Sequence, residues 1–481
     1  MNPLKLKKII VFESNTVKHA LKLIKLNGEG ACFVVTPKFK LLGILTDGDV
    51  RKLILNNLDI NRKIKDLYNQ NVFSLSINAT TTKIHQKIAK GVKIIPLIDK
   101  NKKIVDYVSR IKFRDIPINK PDLTGNEMNY VVDCLNSTFI SSQGKYIKLF
   151  EDNFKKYYQS NYSLAVSNCT SGLMLALKCL NLNKDDEVIV PNVTFASPIN
   201  AILHLGAKPV LCDIDKKNFT IKIESLKKLI TKKTKAIICV HIYGHPCKMD
   251  DIKKIATKNK IKIIEDCAEA IGTKFNGKKI AKFGDFSVFS FFGNKTLTTG
   301  EGGMVLFKSR KDFEECKILR DHGMTAKKKY WHDKVGFNFR MTNMQAAVGV
   351  AQLEKVDYLV KEKIKIAKIY DKFLKGSSII TIPKQEKWAT HAYWLYNIII
   401  KDIDEKKRDK VIQELIYSGI EARPMFYPAS DMNIYKQYSK SKNMEKISYQ
   451  GISLPSFIGL KEEDIIRISK RLISITSNLS N

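Results

Sequence analysis

A single lysine stands between a run of aromatic residues and a cluster of glycines in FSFFGNKTLTTGEGGMV, residues 289–305. A lysine that bonds covalently to a carbonyl compound must be held near neutrality in a partly dry pocket, because its ammonium form is not nucleophilic. We expect the aromatic side chains of FSFF to exclude water from Lys295, and the glycines to let the backbone approach a flat ligand closely. A lysine in such a loop is also often a plain surface residue, so the interpretation depends on other residues that could bind the same ligand.

A carboxylate lies 29 residues before this lysine, at the end of the strand predicted for KIIED. Side chains at the carboxyl ends of parallel strands face the ligand crevice of an α/β sheet. Pyridoxal phosphate requires such a carboxylate to keep its ring nitrogen protonated, so that the ring can accept electrons. Asp266 is therefore a candidate for that partner, and the alternative interpretation is a helix N-cap.

Small and hydroxyl residues precede an apolar helical stretch in SNCTSGLMLALKCL, residues 167–180. Helix N-termini bind phosphate through free N–H groups and the helix dipole. Thr170 and Ser171 are therefore candidate phosphate ligands, although plain helix capping gives the same pattern. Ser290 could add another hydrogen bond to a phosphate. Phe195, in NVTFAS, could stack on the face of a cofactor ring or belong to the core.

The elements that would position these side chains alternate along the chain. From about residue 118, strand-like apolar runs alternate with amphipathic helical stretches, which is typical of a mainly parallel α/β sheet covered by helices on both faces. The runs are EVIVP (187–191), KPVLCDID (208–215), KAIICVHIYG (235–244) and KIIEDCAEA (262–270). From about Lys355 the chain turns to long charged helices and short strands such as YWLYNIII (393–400). We therefore predict a large domain over 118–355 and a small α+β domain over 356–481.

The first 117 residues contain a weak internal repeat. Residues 31–52 are similar to residues 92–113 at an offset of 63. Each half has an apolar strand, a charged turn and a second apolar strand, which predicts two β-α-β-β-α halves that share a core. The segment DIPINKPDLTGNE (115–127) is then typical of a linker that enters a helix.

This repeat resembles the regulatory pair of cystathionine-β-synthase (CBS) domains. The ribose- and phosphate-contacting signature G-x-x-T-x-x-D of that family appears as Gly43, Thr46 and Asp49. The matching positions of the second half hold other residues, Asp106, Ser109 and Lys112. The resemblance implies that a regulatory adenine nucleotide would bind in the first half, at Thr46 and Asp49. A domain that only packs or aids assembly is the alternative.

The composition bears on partners and compartment. Hydrophobic residues make up 44% and charged residues 27% of the chain, as in globular proteins. The formal charge of +35 would attract nucleic acid, anionic membranes or phosphorylated small molecules. The basic residues are spread out, without a zinc-finger or RNA-recognition signature, and no run of about 18 apolar residues occurs. We therefore expect neither nucleic acid nor membrane as a partner. Nine scattered cysteines without a C-x-x-C pair indicate no metal site and a reduced, cytoplasmic protein.

Seven segments between about residues 118 and 481 carry a family resemblance. In order they are SNCTSGL, VPNVTFAS, VHIYGHPCKMD, EDCAEAIG, FSFFGNKTLTTGEGG, GFNFRMTNMQAAVGVAQLE and SLPS. They resemble the successive motifs of the DegT-type sugar-nucleotide aminotransferases, which are pyridoxal 5′-phosphate (PLP) enzymes of the aspartate-aminotransferase fold. The resemblance implies this type I PLP fold, PLP as cofactor, and glutamate and a nucleotide sugar as substrates.

The resemblance also implies a role for each candidate. Lys295 would hold the cofactor and move protons, and Asp266 would pair with the ring nitrogen. Phe195 would stack on the ring, and Glu269 would lie beside it and its 3′-oxygen, where many relatives have Gln. The implied phosphate ligands are Thr170, Ser171 and Ser290. Asn338, in GFNFRMTN, would reach the phosphate of the neighbouring subunit, which implies a homodimer with shared active sites.

Some relatives have His in place of the lysine and remove a hydroxyl group, so Lys295 favours transamination over dehydration. The segments STFISSQGKYIKLFE, EDCAEAIG, KYWHDKVGFNFRMTN and EARPMFYP resemble the perosamine synthases of the family. Those enzymes use glutamate to aminate C4 of GDP-4-keto-6-deoxymannose. This resemblance makes His332, Arg423 and Tyr427 candidate substrate contacts. A UDP- or dTDP-linked acceptor stays open, because loops recognise the base and the hexose.

Two functions of other classes also stay open. A DNA-binding regulator with an aminotransferase-like body would need a DNA-binding element, and the N-terminal module lacks a helix-turn-helix pattern. A nucleotide sensor attached to a decayed enzyme is the second. The intact Lys295, Asp266 and phosphate residues speak against decay.

Overall fold

A computed structural model describes residues 6, 8–79, 84, 87–88, 91–109, 116–325, 328–382, 384–441 and 444–477. The chain divides into two compact units, Met1–Ile116 with Gln413–Glu421 and Pro117–Ile412 with Ala422–Asn481. The domain limits that we placed at residues 117 and 355 stay predictions.

Two three-stranded sheets make up most of the first unit. Its strands are β1 (Ile10–Phe12), β2 (Ala31–Val35), β3 (Leu41–Thr46), β4 (Leu75–Ser76), β5 (Ile94–Ile98) and β6 (Ile104–Ser109), and its helices include α1 (Val17–Asn27) and α2 (Asp47–Leu55). One sheet has the order β1-β2-β3 and the other β4-β5-β6. In each sheet the first pair is parallel and the second antiparallel.

The predicted offset of 63 residues is confirmed by these strands. β2 and β5 begin at Ala31 and Ile94, and β3 and β6 begin at the same offset. A register shift recurs at that offset, after Val34 in one sheet and after Leu97 in the other. Because a bulge is a local feature of one strand pairing, its recurrence indicates two copies of one fold. Lys112, the repeat partner of Asp49, lies outside the described residues.

The second unit contains an α/β body with a seven-stranded sheet. The strands of that sheet are β7 (Tyr162–Val166), β8 (Glu187–Pro191), β9 (Lys208–Cys212), β10 (Thr234–Val240), β11 (Lys262–Asp266), β14 (Phe286–Ser290) and β15 (Gly303–Phe307). The helices of the body are α3 (Glu127–Ser137), α4 (Lys145–Tyr158), α5 (Cys169–Lys178), α6 (Ala196–His204), α7 (Ile223–Leu229), α8 (Met249–Asn259), α9 (Arg310–Arg320) and α10 (Asn343–Glu354). A small separate sheet consists of β12 (Lys274–Phe275), β13 (Lys278–Lys279) and β17 (Ala389–Thr390).

The strand order of the large sheet is β7-β15-β14-β11-β10-β8-β9. Every neighbouring pair is parallel except the two that contain β15, so the predicted mainly parallel sheet is confirmed. Buried apolar clusters lie against its strands, which explains why these strands are continuous apolar runs rather than alternating ones. The predicted runs EVIVP and KIIED are β8 and β11 residue for residue.

A smaller antiparallel sheet follows in the same unit, as predicted. Its order is β16-β18-β20-β19. The elements of this lobe are β16 (Ile380–Thr381), β18 (Tyr396–Ile400), β19 (Arg423–Pro424), β20 (Gly451–Leu454) and α11 (Val356–Leu374), with α12 (Glu405–Tyr417) as far as Ile412, and α13 (Glu462–Ser477). The residues of α12 from Gln413 onward belong to the first unit. The strand within YWLYNIII is shorter than the apolar run, because it begins at Tyr396.

All nine cysteines are free thiols. None of the helices in the described part of the chain has the length and apolar character that crossing a bilayer would require.

Candidate active site

The carboxyl ends of two central strands bring the predicted catalytic residues together. β11 ends at Asp266, and the turn after it carries Glu269. Its parallel neighbour β14 ends at Ser290, five residues before Lys295. Because parallel strands end at the same edge of a sheet, both following segments enter the same crevice.

The amine of Lys295 is buried against a carboxylate and an aromatic ring. Nζ lies 3.7 Å from Oε1 of Glu269 and 3.6 Å from the ring centroid of Trp394, and 11% of the lysine side chain is exposed. Burial lowers the pKa of Lys295, because loss of water disfavours the ammonium form, while the Glu269 carboxylate opposes this shift. A lysine whose pKa is lowered is the kind of nucleophile that carbonyl chemistry requires.

The expectation that the aromatic residues of FSFF exclude water from the lysine is wrong for Phe289 and Phe291. Phe289 and Phe291 are fully buried and pack against aromatic residues of α4 in the core. Neighbouring residues of a strand point to opposite faces, so Ser290, between them, points away from that cluster. The aromatic ring that covers Lys295 is instead Trp394, which lies just before β18.

Glu269 joins the lysine to the turn that follows β10. Its Oε2 accepts a hydrogen bond of 2.6 Å from the backbone N–H of Tyr243, while Oε1 faces Lys295. Burial raises the pKa of Glu269 to about 7, although Lys295 and the N–H of Tyr243 act in the opposite direction. A carboxyl group that titrates near neutrality beside an amine with a lowered pKa can exchange a proton with it.

The carboxylate of Asp266 is buried with one oxygen unpaired. Both hydrogen bonds that it receives from the described residues end on Oδ1, from the N–H of Ala268 at 3.0 Å and the thiol of Cys169 at 3.9 Å. Burial raises the pKa of Asp266, and a protonated ring nitrogen at Oδ2 would offset this effect by favouring the ionised form. The residues present therefore fit PLP.

The candidate phosphate ligands lie at the start of α5. Asn168 caps this helix by accepting the N–H of Ser171 at 2.8 Å. The hydroxyl of Thr170 is not part of that cap and lies 2.6 Å from the hydroxyl of Ser197 at the start of α6. Ser290 accepts a long hydrogen bond of 3.4 Å from a neighbouring backbone N–H. The sequence analysis missed Ser197, which adds a hydroxyl group to this set.

Phe195 is not a core residue. Its side chain is 61% exposed at the N-cap of α6, and its ring centroid lies 5.9 Å from that of Phe426. An accessible aromatic face at this strand end is suited to stacking on a planar ligand.

The remaining candidates for substrate and partner-subunit contacts are His332, Arg423, Tyr427 and Asn338. Asn338 and His332 are exposed in the segment after α9, and Nδ1 of His332 lies 2.9 Å from a backbone carbonyl. Arg423 begins β19. The hydroxyl of Tyr427 accepts a hydrogen bond of 2.9 Å from buried Arg408, which favours a structural role for this tyrosine. The substrate and partner-subunit roles stay predictions.

In the first unit, Thr46 and Asp49 form a capping box at the start of α2. The hydroxyl of Thr46 accepts the N–H of Asp49 at 3.1 Å, and the Asp49 carboxylate accepts the N–H of Thr46 at 2.9 Å. Gly43 is required by packing, because a Cβ there would lie 2.4 Å from the carbonyl oxygen of Asn69. The signature therefore has a structural function in its own unit, and its role in nucleotide binding stays a prediction.

A buried polar network supports the strand that carries Asp266. Glu265 accepts hydrogen bonds from the backbone N–H groups of Ala281, Phe283 and Gly284, from the hydroxyl of Ser287 and from Nε2 of His241. Nδ1 of His241 accepts the N–H of Cys247. These bonds occupy the lone pairs that a metal ion would need, so we interpret the cluster as structural.

Besides Ser197, the sequence analysis missed two residues of the site, Trp394 and Tyr243. Trp394 belongs to YWLYNIII, which predicted only a strand, and Tyr243 belongs to VHIYGHPCKMD, a family motif without an assigned role. No local pattern marks the tryptophan, because its neighbour Lys295 is 99 positions away in the sequence.

A mainly parallel sheet with a buried lysine and two carboxylates at its carboxyl edge, followed by a small antiparallel lobe, defines the class of type I PLP enzymes. The chain belongs to the DegT/DnrJ/EryC1/StrS aminotransferase family, whose sequence profile matches residues 121–473. A CBS-domain profile matches residues 5–56, within the first half of the predicted pair. These matches confirm the predicted enzyme class, the cofactor PLP and a CBS domain.

The chain is also similar to individual proteins that are described as sugar aminotransferases or related synthases. The chain is 43% identical over 358 residues to the GDP-perosamine synthase of Escherichia coli O157:H7, covering 74% of this chain and 97% of that protein. A Helicobacter pylori aminotransferase involved in pseudoaminic acid biosynthesis is 27% identical, with a TM-score of 0.72 over 76% of this chain and 100% of that chain. A Streptococcus pneumoniae chain assigned as a sugar aminotransferase and solved in a PLP form is 27% identical, with a TM-score of 0.71 over 76% and 99% of the two chains.

Proposed function

We propose that the chain transfers an amino group from glutamate to C4 of a nucleotide-linked 4-keto-6-deoxy sugar. The preferred acceptor is GDP-4-keto-6-deoxymannose, which would become GDP-perosamine. The observation that carries the proposal is the contact between Lys295 and Glu269. Asp266, at the end of β11, supports it, because its hydrogen bonds from the described residues leave Oδ2 available to a ligand. The 43% identity to a GDP-perosamine synthase supports the choice of sugar.

Each residue has a task in this reaction. Bound PLP supplies an electron sink that stabilises negative charge on the carbon next to the transferred nitrogen. Asp266 holds a proton on the ring nitrogen, and Phe195 offers its exposed face to the ring. Lys295, whose pKa is lowered by burial, removes the proton from Cα of glutamate. Glu269, at 3.7 Å, is placed to accept or return a proton at Nζ.

The order of events is ping-pong. Glutamate gives up its nitrogen to the enzyme and leaves as 2-oxoglutarate before the sugar reacts. The keto sugar then takes the nitrogen, and Lys295 delivers a proton to C4 of the sugar. No step requires both substrates at once, so one crevice serves both half-reactions.

The proposal is tested on the holoenzyme in two stages. Glutamate should bleach the visible absorption band of the bound cofactor, and GDP-4-keto-6-deoxymannose, added after the donor is removed, should restore it. Lys295→Ala should retain the cofactor but lose turnover by about 10²–10⁴-fold, whereas Lys361→Ala, at an exposed lysine of α11, should behave as wild type. Appreciable turnover in Lys295→Ala would contradict the assignment.

The same experiment separates the acceptor sugars. If glutamate bleaches the band and the GDP sugar does not restore it, UDP- and dTDP-linked keto sugars are the next acceptors to add. Return of the band with one of these would keep the aminotransferase and replace the nucleotide.

We also propose a homodimer with shared active sites, in which Asn338 reaches the cofactor phosphate of the partner subunit. An apolar surface on the second unit supports it. Its exposed side chains are Met128, Val132 and Leu135 of α3, and Phe139 and Ile140 after the helix. Monomeric proteins rarely expose large contiguous apolar patches, so a second copy is a suitable cover.

The CBS domain is proposed to bind a regulatory nucleotide through Thr46 and Asp49. Calorimetric titration of the full chain with adenine and guanine nucleotides tests this, and Asp49→Asn is the matched variant. Heat from the GDP-linked substrate site is separated by repeating the titration with that site saturated. Absence of heat from every nucleotide would leave the capping box as the function of both residues.

The nine free thiols support a cytoplasmic enzyme. From the family to which the chain belongs, we also propose that the product is used to build a surface polysaccharide.

A further inference from the structure

Tyr243 has an unusual backbone for a large side chain. It lies in the buried turn Ile242–Gly244 that follows β10, and its φ and ψ are 54° and 6°. Left-handed backbone is unfavourable for non-glycine residues and persists where the surroundings determine it, often at functional sites. We therefore expect contacts of Tyr243 that depend on its left-handed backbone.

Two backbone groups of Tyr243 contact the two neighbours of the catalytic lysine. Its N–H donates to Oε2 of Glu269 at 2.6 Å, and its carbonyl accepts the N–H of Trp394 at 3.0 Å. The other oxygen of Glu269 and the ring of Trp394 are the groups that lie 3.7 Å and 3.6 Å from Nζ of Lys295. The left-handed residue thus connects both sides of the amine pocket.

The side chain of Tyr243 is held by ring contacts and by a hydrogen bond. Its ring lies nearly parallel to the rings of Phe426, at 5.4 Å, and Trp394, at 6.2 Å. Its hydroxyl accepts the N–H of Phe426 at 2.8 Å. At the next residue, Gly244, a Cβ would lie 2.9 Å from the backbone nitrogen of Tyr393. The ring, the hydroxyl and the neighbouring glycine therefore all hold the turn against Trp394, Phe426 and Tyr393.

We propose that Tyr243 is a positioning residue, whose left-handed backbone aims its N–H at Glu269 and its carbonyl at Trp394 so that both converge on the Lys295 amine. The inference rests on the proposed function, which makes Lys295 the catalytic lysine. Tyr243 acts through Glu269 and Trp394 and does not itself contact the reacting atoms.

The hydrogen bond from Tyr243 has an electrostatic consequence. An N–H donor stabilises the carboxylate form of Glu269 and lowers its pKa against the effect of burial. The other titratable groups of the described chain that act on Glu269 are Lys295, Asp266, the thiol of Cys169 and the phenol of Tyr243. Loss of this N–H alone should therefore raise the pKa of Glu269.

A matched pair of variants isolates the backbone from the ring. Tyr243→Val and Tyr243→Asn both remove the aromatic side chain, but valine strongly disfavours a positive φ whereas asparagine tolerates it. In the holoenzyme, the rate at which glutamate bleaches the cofactor band is measured against pH. The acid limb of this profile should move up by about one pH unit in Tyr243→Val, a tenfold change in proton affinity, and should stay in place in Tyr243→Asn.

A second readout does not depend on catalysis. After removal of the cofactor from the full chain, infrared difference titration follows the carboxyl band of Glu269, identified by its loss in Glu269→Gln. This band should titrate at a higher pH in Tyr243→Val than in Tyr243→Asn. If Tyr243→Val does not fold, Tyr243→Ala replaces it, because alanine also disfavours a positive φ relative to asparagine.

The outcomes are distinct. Unchanged limbs and an unchanged carboxyl titration in Tyr243→Val would overturn the proposal, and so would equal shifts in both variants, which would assign the effect to the lost ring. A wild-type protein that reacts with no amino donor would refute the proposed function instead. The infrared comparison would then still decide whether Tyr243 positions Glu269.

Discussion

Lys363 shows how burial alone can set the charge of a lysine in this fold. Its side chain is 1% exposed, and Nζ donates to the backbone carbonyls of Trp394, at 2.9 Å, and of Ser456. Desolvation lowers its pKa from 10.5 to about 7. Lys295 differs, because Glu269 lies beside it and opposes the loss of its charge. The two lysines therefore differ in their surroundings, because Lys295 has a carboxylate beside its amine and Lys363 has backbone carbonyls.

Lys363→Met should remove a pH-dependent contribution to stability. Between about pH 7 and 10.5 the unfolded chain binds a proton at Lys363 and the folded chain does not, so this contribution is complete above 10.5 and is lost as the pH falls towards 7. Lys363 should therefore add up to about 1.4 kcal/mol per pH unit to the slope of the unfolding free energy in this window.

Denaturant unfolding at several pH values between neutrality and pH 10 measures that slope. Lys363→Met should show a flatter slope than wild type, whereas Lys361→Met, at an exposed position of the same helix, should keep the wild-type slope. Equal slopes for Lys363→Met and wild type would contradict the assigned protonation state.

Helix α5 links the core of the body to the candidate phosphate site. Its N-terminus carries Thr170 and Ser171, and its next turn lies close to the sheet at Gly172. A Cβ at Gly172 would lie 2.6 Å from Cγ1 of Val288 and 3.0 Å from Cγ2 of Val305. The glycine therefore sets the distance between the helix and the strands, and with it the position of the phosphate ligands.

Gly172→Ala should affect stability and cofactor binding together. The added methyl group should cost about 1–3 kcal/mol of unfolding free energy, as other overpacked core sites do. Because the helix must move outward, the affinity for PLP should also fall. Thermal unfolding and a fluorescence titration with PLP measure the two effects. Gly376→Ala, where a Cβ would meet nothing within 4 Å, should change neither. A destabilised Gly172→Ala with wild-type affinity would separate the helix position from phosphate binding.

At the scale of the whole molecule, the charge and the apolar surface of α3 suggest different partners. The net charge of +35 arises from lysines spread along the chain, which favour solubility over a defined nucleic-acid site. The apolar surface is local, since Met128, Val132 and Leu135 share one helix. Covering such a surface with a second copy removes apolar area from water, which is the main source of association free energy.

Leu135→Glu should therefore convert the proposed dimer into monomers, because it would place a charge within the covered surface. Light scattering after gel filtration measures the mass, and activity should fall with it if Asn338 completes the partner's site. Leu26→Glu, at an exposed leucine of the first unit, makes the same charge change and should leave the mass unaltered. A wild-type protein that is monomeric at micromolar concentration would refute the shared site.

The sequence by itself determined most of the local elements and singled out Lys295 as the candidate catalytic residue. Strand β8 is buried along its whole length and β11 from Ile263 onward, so the apolar residues of each strand mark its position in the sequence. The repeat of 63 residues predicted the strand pairs β2–β3 and β5–β6 of the first unit. Asp266 could be proposed as a partner of Lys295 from the sequence, because it lies at the carboxyl end of a predicted parallel strand, where side chains face the ligand crevice.

Only the tertiary structure decided what surrounds the lysine. The FSFF aromatics were expected around Lys295, but the pleat of β14 places Phe289 and Phe291 in the core, and Trp394 covers the amine instead. The left-handed backbone of Tyr243 is equally absent from any sequence pattern. Both features depend on contacts between segments more than 50 residues apart, such as those of Trp394 with Lys295 and Tyr243. Local periodicity carries no information about such contacts, because the packing of the whole unit determines them.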